Sequence, residues 1–225
     1  MLRVLGFKRT RDFPKIVKEA MQFGLDKEAE TLEVLRENFG DRITSQKPMG
    51  NDLWSGHPDF IVDCGTDDAI IVEHKGVFGR WRGLDLLSTE HVAQLCLYGQ
   101  LHEEANNGRR RPSLILFYRG RLASLLFEVY PLARGGIDVF SIEVLDGSLT
   151  EILVDRINAF VPDNVTIIQK NLDLDVWGLR ADLENYYQAR ELPLRLPEPE
   201  HRKCTWHGEP SCLMYDHCWP EAVTL

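Results

Sequence analysis

The stretch GHPDFIVDCGTDDAIIVEHKG, residues 56–76, sets charged groups at the ends of two short apolar runs. Asp59 opens the first run, FIV, and the triplet Glu73, His74, Lys75 closes the second, AIIV. Side chains alternate along a strand, so Glu73 and Lys75 share one face while His74 projects to the other. If the runs pair as a hairpin about CGTDD, Asp59 comes level with the Glu73 end of its partner. Two carboxylates side by side repel unless something positive lies between them, and a hard divalent cation such as Mg²⁺ fills that role. Lys75 beside them would orient or stabilise a hydroxide attacking a phosphodiester, which is metal-assisted hydrolysis. The plain alternative is a salt-bridged sheet edge, protected by its charges.

Two helical segments carry further candidates. In the first, Glu28 falls on the apolar stripe of Leu32, Leu35 and Phe39, and an inward carboxylate needs a partner. That partner is either a metal, with Glu28 an additional or outer ligand, or a structural donor such as Lys75. In the second, Gln94 and Tyr98 stand four apart, one above the other on a helix face, an amide and a phenol suited to phosphate or backbone contacts. His57 reads as a loop residue or a ligand. Trp54, Phe78 and Trp81 read as core aromatics or as platforms for unpaired bases.

The elements that must position these groups follow from periodicity and breakers. Residues 13–39 read as helix, with Leu25, Ala29, Leu32, Leu35 and Phe39 at helical spacing and Gly40 at the stop. Strands are expected at 60–63 and 69–73, then a helix over 88–104 capped by Ser88. Further strands are expected at 114–118, 123–130 and 137–145, then a helix over 148–160. The fold class is α/β, a mixed sheet flanked by helices, with residues 1–190 as one domain and 191–225 as a proline-spaced linker and Cys/His-rich tail.

Taken in order, GHPD (56–59), EHK (73–75) and QLCLY (94–98) resemble the G-x-x-D, (D/E)-x-K and Q-x-x-x-Y motifs of the PD-(D/E)xK nuclease superfamily, in its RecB-type and CRISPR-adaptation-exonuclease-like branch. FGLDKE, ending on Glu28, is similar to that branch's first helix motif. The resemblance covers about residues 20–130. It implies a restriction-endonuclease-like core and Mg²⁺ or Mn²⁺ held by Asp59, Glu73 and a backbone carbonyl of His74. It also implies Lys75 as the catalytic lysine, Glu28 near the metal, and Gln94 and Tyr98 contacting the active-site loop and the DNA backbone. Where the branch often carries His on the first helix, this chain has Glu28.

The tail CTWHGEPSCLMYDHC offers Cys204, His207, Cys212 and Cys218 at C-x2-H-x4-C-x5-C spacing, ligand types that suit tetrahedral Zn²⁺, with His201 and His217 as alternates. Its last part, CLMYDHCWP, is also similar to the end of the 4Fe–4S signature common in that nuclease branch. In that case Cys64 or Cys96 would have to supply a thiolate.

Composition sets the bounds. With 44% apolar and 27% charged residues among 225, the chain reads as a soluble one able to build a sizeable core. It has no run of 18 apolar residues and a charged N-terminus, so a cytoplasmic location without membrane contact is expected. A net charge of −9 argues against bulk attraction to polyanions, yet positive charges cluster at Arg3 to Lys18, at Arg109, Arg110 and Arg111, and at Arg119 and Arg121. The expected function is a divalent-metal-dependent DNA nuclease, an exonuclease rather than a site-specific endonuclease, in recombination, repair or phage DNA processing. Its partners would be single- or double-stranded DNA and a recombinase, helicase or annealing protein. The alternatives are a non-cleaving module that binds DNA or a recombinase, and a zinc-tail adaptor.

Overall fold

The strand pairing that the opening motif requires is present. The computed structural model describes residues 14–51, 55–108, 111–131, 137–145, 150–158, 168–172, 205–206 and 209–210. These fall into two compact units, one of residues 23–190 and one formed by Met1–Gln22 with Glu191–Leu225.

Helix α1 runs Lys15–Phe39, rich in Glu, Lys, Leu and Ala, and stops where Gly40 turns to φ +54°. Its burial differs from the expected stripe. Thr31, Leu35 and Phe39 are buried, whereas Leu25 is 58% exposed and Ala29 is also exposed, so the helix buries side chains in the core only along its C-terminal half.

Strands β1 (Ile43–Ser45), β2 (Met49–Gly50), β3 (Ser55–Gly56), β4 (Phe60–Val62) and β5 (Ile70–Gly76) follow. Between β4 and β5 the chain turns at Asp63 (φ +50°) and Gly65 (φ +85°), with Arg42 bonding both Asp63 carboxylate oxygens. Helix α2, Thr89–Ala105, then carries the chain back to β6 (Ser113–Arg119). Ser88 occupies the cap position but does not cap the helix: its hydroxyl donates to Glu90 Oε2 at 2.6 Å instead. Strands β7 (Ala123–Pro131), β8 (Ile137–Leu145) and β9 (Ile168–Leu172) complete the order, with helix α3 at Glu151–Ile157, shorter than expected.

The main sheet has seven strands in the order β1-β4-β5-β6-β7-β8-β9. Only β5 and β6 run parallel, and such a pair needs a crossover, here α2. Val92 and Leu95 of α2 pack with Ile61, Ile71, Leu116 and Phe127 on one face, while Leu35 of α1 and Leu153 of α3 pack with Phe60, Val72, Phe117 and Leu126 on the other. Covered on both faces, β4 reads as a continuous apolar run rather than an alternating one. Each fully buried Leu, Ile or Phe contributes about 1.5–3 kcal/mol to holding these elements together. Among the described residues no helix is long and apolar enough to cross a membrane.

In the other unit, β10 (Thr205–Trp206) pairs antiparallel with β11 (Glu209–Pro210). The tail ligand candidates Cys204, His207, Cys212 and Cys218, with His201 and His217, lie outside the described residues, as do Trp54, Arg109, Arg110 and the basic residues before Pro14. Cys96 packs in the core at 2% exposure and Cys64 is half-buried.

Candidate functional site

The β4/β5 register is Phe60 opposite Val72, so Asp59 stands level with Glu73, one step beyond the paired residues. Alternation puts Asp59 with Ile61, and Glu73 and Lys75 with Ile71, on the face covered by α2. The main chain fixes this arrangement: the His74 N–H donates to Asp59 Oδ2 at 2.7 Å. Across the other edge, β1 pairs Ser45 with Phe60, which brings Gln46 beside Asp59, where its N–H reaches the Asp59 carbonyl at 3.2 Å. Gln46 takes φ +50°, and its side-chain Nε2 donates at 2.9 Å to both Asp59 Oδ1 and Glu28 Oε1.

Glu28 arrives from α1 through a close backbone approach. A Cβ built on Gly76 would fall 2.5 Å from Gly24 Cα, so only glycine at the end of β5 lets the helix sit this near, one turn before Glu28. The three expected carboxylates are therefore neighbours. Glu28's hydrogen-bond partner is Gln46, not Lys75.

Lys75 Nζ lies 2.5 Å from Glu73 Oε1 and 3.4 Å from Gln94 Oε1, and Gln94 Nε2 donates to the Tyr98 hydroxyl at 2.9 Å. Tyr98 in turn packs its ring on Gly56, where a Cβ would come within 2.3 Å of the ring edge. Gln94 and Tyr98 thus tie the lysine to the loop that presents Asp59. Tyr98, only 9% exposed, spends its ring on this packing. His74 turns its side chain to the opposite face, between Phe60 and Phe117. Thr31 gives its own proton to the Lys27 carbonyl, so the His74 Nε2–H donates to Thr31 Oγ1 at 3.3 Å. Burial holds this imidazole down to about 3, hence neutral.

The carboxylates are electrostatically crowded. Burial pushes Asp59 up to about 6, with Glu28 adding to the rise and the His74 N–H, Lys75 and Gln46 opposing it. Burial, then the adjacent Asp59, pushes Glu73 up to about 7 against the pull of Lys75. Groups shifted this way by desolvation and by one another mark a site that gains from added positive charge.

Among the described residues no three His, Cys, Asp or Glu side chains form a ready-made ligand set. Gln46 and Lys75 fill the gaps between the carboxylates with N–H donors. The donor chemistry nevertheless fits a hard divalent ion. Glu73 Oε2 is buried with no hydrogen-bond partner, and each oxygen of Asp59 keeps lone-pair capacity beyond its one bond.

Gln46 has no counterpart among the expected residues. It lies in the sequence SQKP and shows no periodicity, and only the unexpected strand β1 brings it to Asp59. His57 is an exposed loop residue. Trp81 packs on Gly120 and the core, and Phe78 packs edge-on to Phe23, over which Lys27 and Arg121 also lie. Arg119 pairs with Glu30 and Arg111 with Glu103. No protein-family model matches the chain, and neither a curated protein nor a solved structure matches it.

Proposed function

We propose that the chain is a divalent-cation-dependent DNA nuclease with a restriction-endonuclease-like core, a PD-(D/E)xK protein of the RecB-type branch acting as an exonuclease. The observation that carries this reading is the buried, unpartnered Glu73 Oε2 beside Asp59, with Lys75 bonded to the other Glu73 oxygen.

Asp59 and Glu73 would hold the cation, with Glu28 reached through the position now bridged by Gln46. A divalent ion bound there supplies charge neutralisation for a phosphate and a water acidic enough to act as nucleophile near neutral pH. Lys75 has three N–H donors, of which Glu73 and Gln94 take two, so one remains to orient a nucleophile or a phosphate oxygen. Gln94 and Tyr98 keep the ammonium at that point, and the rigid β5 strand removes the entropy cost of finding it. The tail cysteines and histidines would serve as a structural zinc or 4Fe–4S site, and the cytoplasm would be the compartment.

Incubating the full chain with end-labelled linear DNA and Mg²⁺ or Mn²⁺ tests the proposal. Shortening of the label that stops with EDTA supports it. DNA left intact under every divalent ion tried would favour the non-cleaving binding module instead.

A further inference from the structure

Lys75 and Tyr118 are register partners on the parallel strands β5 and β6, and both face α2. The Tyr118 ring is 2% exposed, and its hydroxyl lies 2.8 Å from His91 Nδ1. His91 is three residues before Gln94 and seven before Tyr98, which puts all three on the stripe of α2 that meets Lys75.

The direction of the His91 bond follows from hydrogen counting. Among the described residues the one hydrogen bond of the buried Tyr118 hydroxyl is that to His91 Nδ1, so the phenolic hydrogen, which would otherwise be buried without an acceptor, goes to that nitrogen. Burial first, and the Lys75 charge second, lower the His91 imidazole below its ordinary value, while Glu90 pulls the other way and does not restore it. A neutral imidazole that accepts at Nδ1 must carry its proton on Nε2. That N–H makes no hydrogen bond within the described residues, although His91 is only half-buried and sits beside the lysine.

We infer that His91 is a substrate-contacting residue, donating its Nε2–H to a phosphate oxygen of the nucleic-acid strand that runs past Lys75, with Tyr118 as the positioning residue that fixes its tautomer. The inference rests on the nuclease reading for the identity of the ligand, and it adds a contact outside the four motifs. A neutral donor at this point binds phosphate without adding a second full charge next to Lys75. Its contribution is to holding the strand rather than to the bond that breaks, so it acts on ground state and transition state alike.

The test uses the full chain and a fluorescein-labelled DNA oligonucleotide, with anisotropy in EDTA for binding and Mn²⁺-supported cleavage for kinetics. His91→Ala is expected to weaken binding and raise KM by about tenfold with kcat within about twofold. His91→Gln, which returns a neutral N–H of similar reach, restores most of the affinity. Tyr118→Phe weakens binding by the wild-type chain but adds nothing to His91→Ala, the coupling that a fixed tautomer requires. Equal binding by wild type and His91→Ala overturns the inference, as does equal loss in His91→Ala and His91→Gln. A wild-type chain that binds the oligonucleotide without cutting it leaves the binding arm to decide His91 while overturning the catalytic reading. A wild-type chain that neither binds nor cuts overturns both.

Discussion

Gly76 and Gly24 meet backbone to backbone, with room between them for no side chain on the Gly76 side: a Cβ there would sit 2.5 Å from Gly24 Cα, while a Cβ on Gly24 would touch nothing within 4 Å. The contact is thus asymmetric, and so is its expected response to mutation. Gly76→Ala must push α1 away from β5, costing about 1–3 kcal/mol, and should lower the melting temperature by several degrees. Gly24→Ala relieves the helix of an interior glycine and should raise stability by up to about 1 kcal/mol. Thermal melts of the two variants check the pair, and equal destabilisation by both would contradict the geometry.

The raised carboxylates make stability fall with pH. Asp59 and Glu73 bind protons more tightly folded than unfolded, so the folded chain gains from their protonation below the ordinary carboxylate range and loses that gain as pH rises through about 6 and then about 7. The cation-free protein should therefore melt higher near pH 5 than near pH 8, as far as this pair decides. Mn²⁺ should flatten the difference by stabilising the ionised pair. Melts with EDTA and with Mn²⁺ across that range, read against Asp59→Asn so that the opposite contribution of neutral His74 cancels, measure it, and a wild-type pH profile in EDTA parallel to that of the variant would oppose the assignment.

Gln46 stands where positive charge belongs, one amide nitrogen at 2.9 Å from each of two carboxylates. Gln46→Leu leaves Glu28 and Asp59 facing each other with no donor between them, at a cost of about 1–3 kcal/mol. The expected result is a lower melting temperature in EDTA at pH 8 that Mn²⁺ recovers more fully than it does for the wild type. A variant as stable as wild type in EDTA would show that the bridge contributes nothing.

The two described cysteines should differ in chemistry. Burial pushes the Cys96 thiol up to about 12 and packs it among core side chains, whereas Cys64 is half-buried at the turn after β4, with Lys47 Nζ 3.3 Å from its sulfur. Iodoacetamide followed by peptide mapping should label Cys64 readily in the native chain and Cys96 only after unfolding. Fast native labelling of Cys96 would contradict the packing of α2 on the sheet.

The carboxylate pair was legible in the sequence because strand alternation and a turn-rich pentapeptide fix the relation of Asp59 to Glu73 and Lys75 without knowledge of the rest. Gln94 and Tyr98 were legible as a helical pair, with contact to the active-site loop implied by the resemblance, although their hold on Lys75 was not. Periodicity failed where partners are non-local. Leu25 and Ala29 continue the apolar stripe of α1 yet stay exposed, because at this end the helix meets β5 through the Gly24 backbone rather than through those side chains. Strand β1 is three residues long, too short for a period of two to register, and with it went Gln46. Thr31 is buried for the sake of His74, a pairing across 43 positions that no local pattern encodes.

The central claim is that Asp59 and Lys75 serve one phosphodiester-cleaving site. Single-turnover cleavage of end-labelled DNA in Mn²⁺ by wild type, Asp59→Ala and Lys75→Ala tests it most directly, with melts confirming that each variant is folded. The account predicts that the wild type cuts and that each folded variant is slower by at least about 100-fold. Cleavage by either variant at the wild-type rate would contradict it.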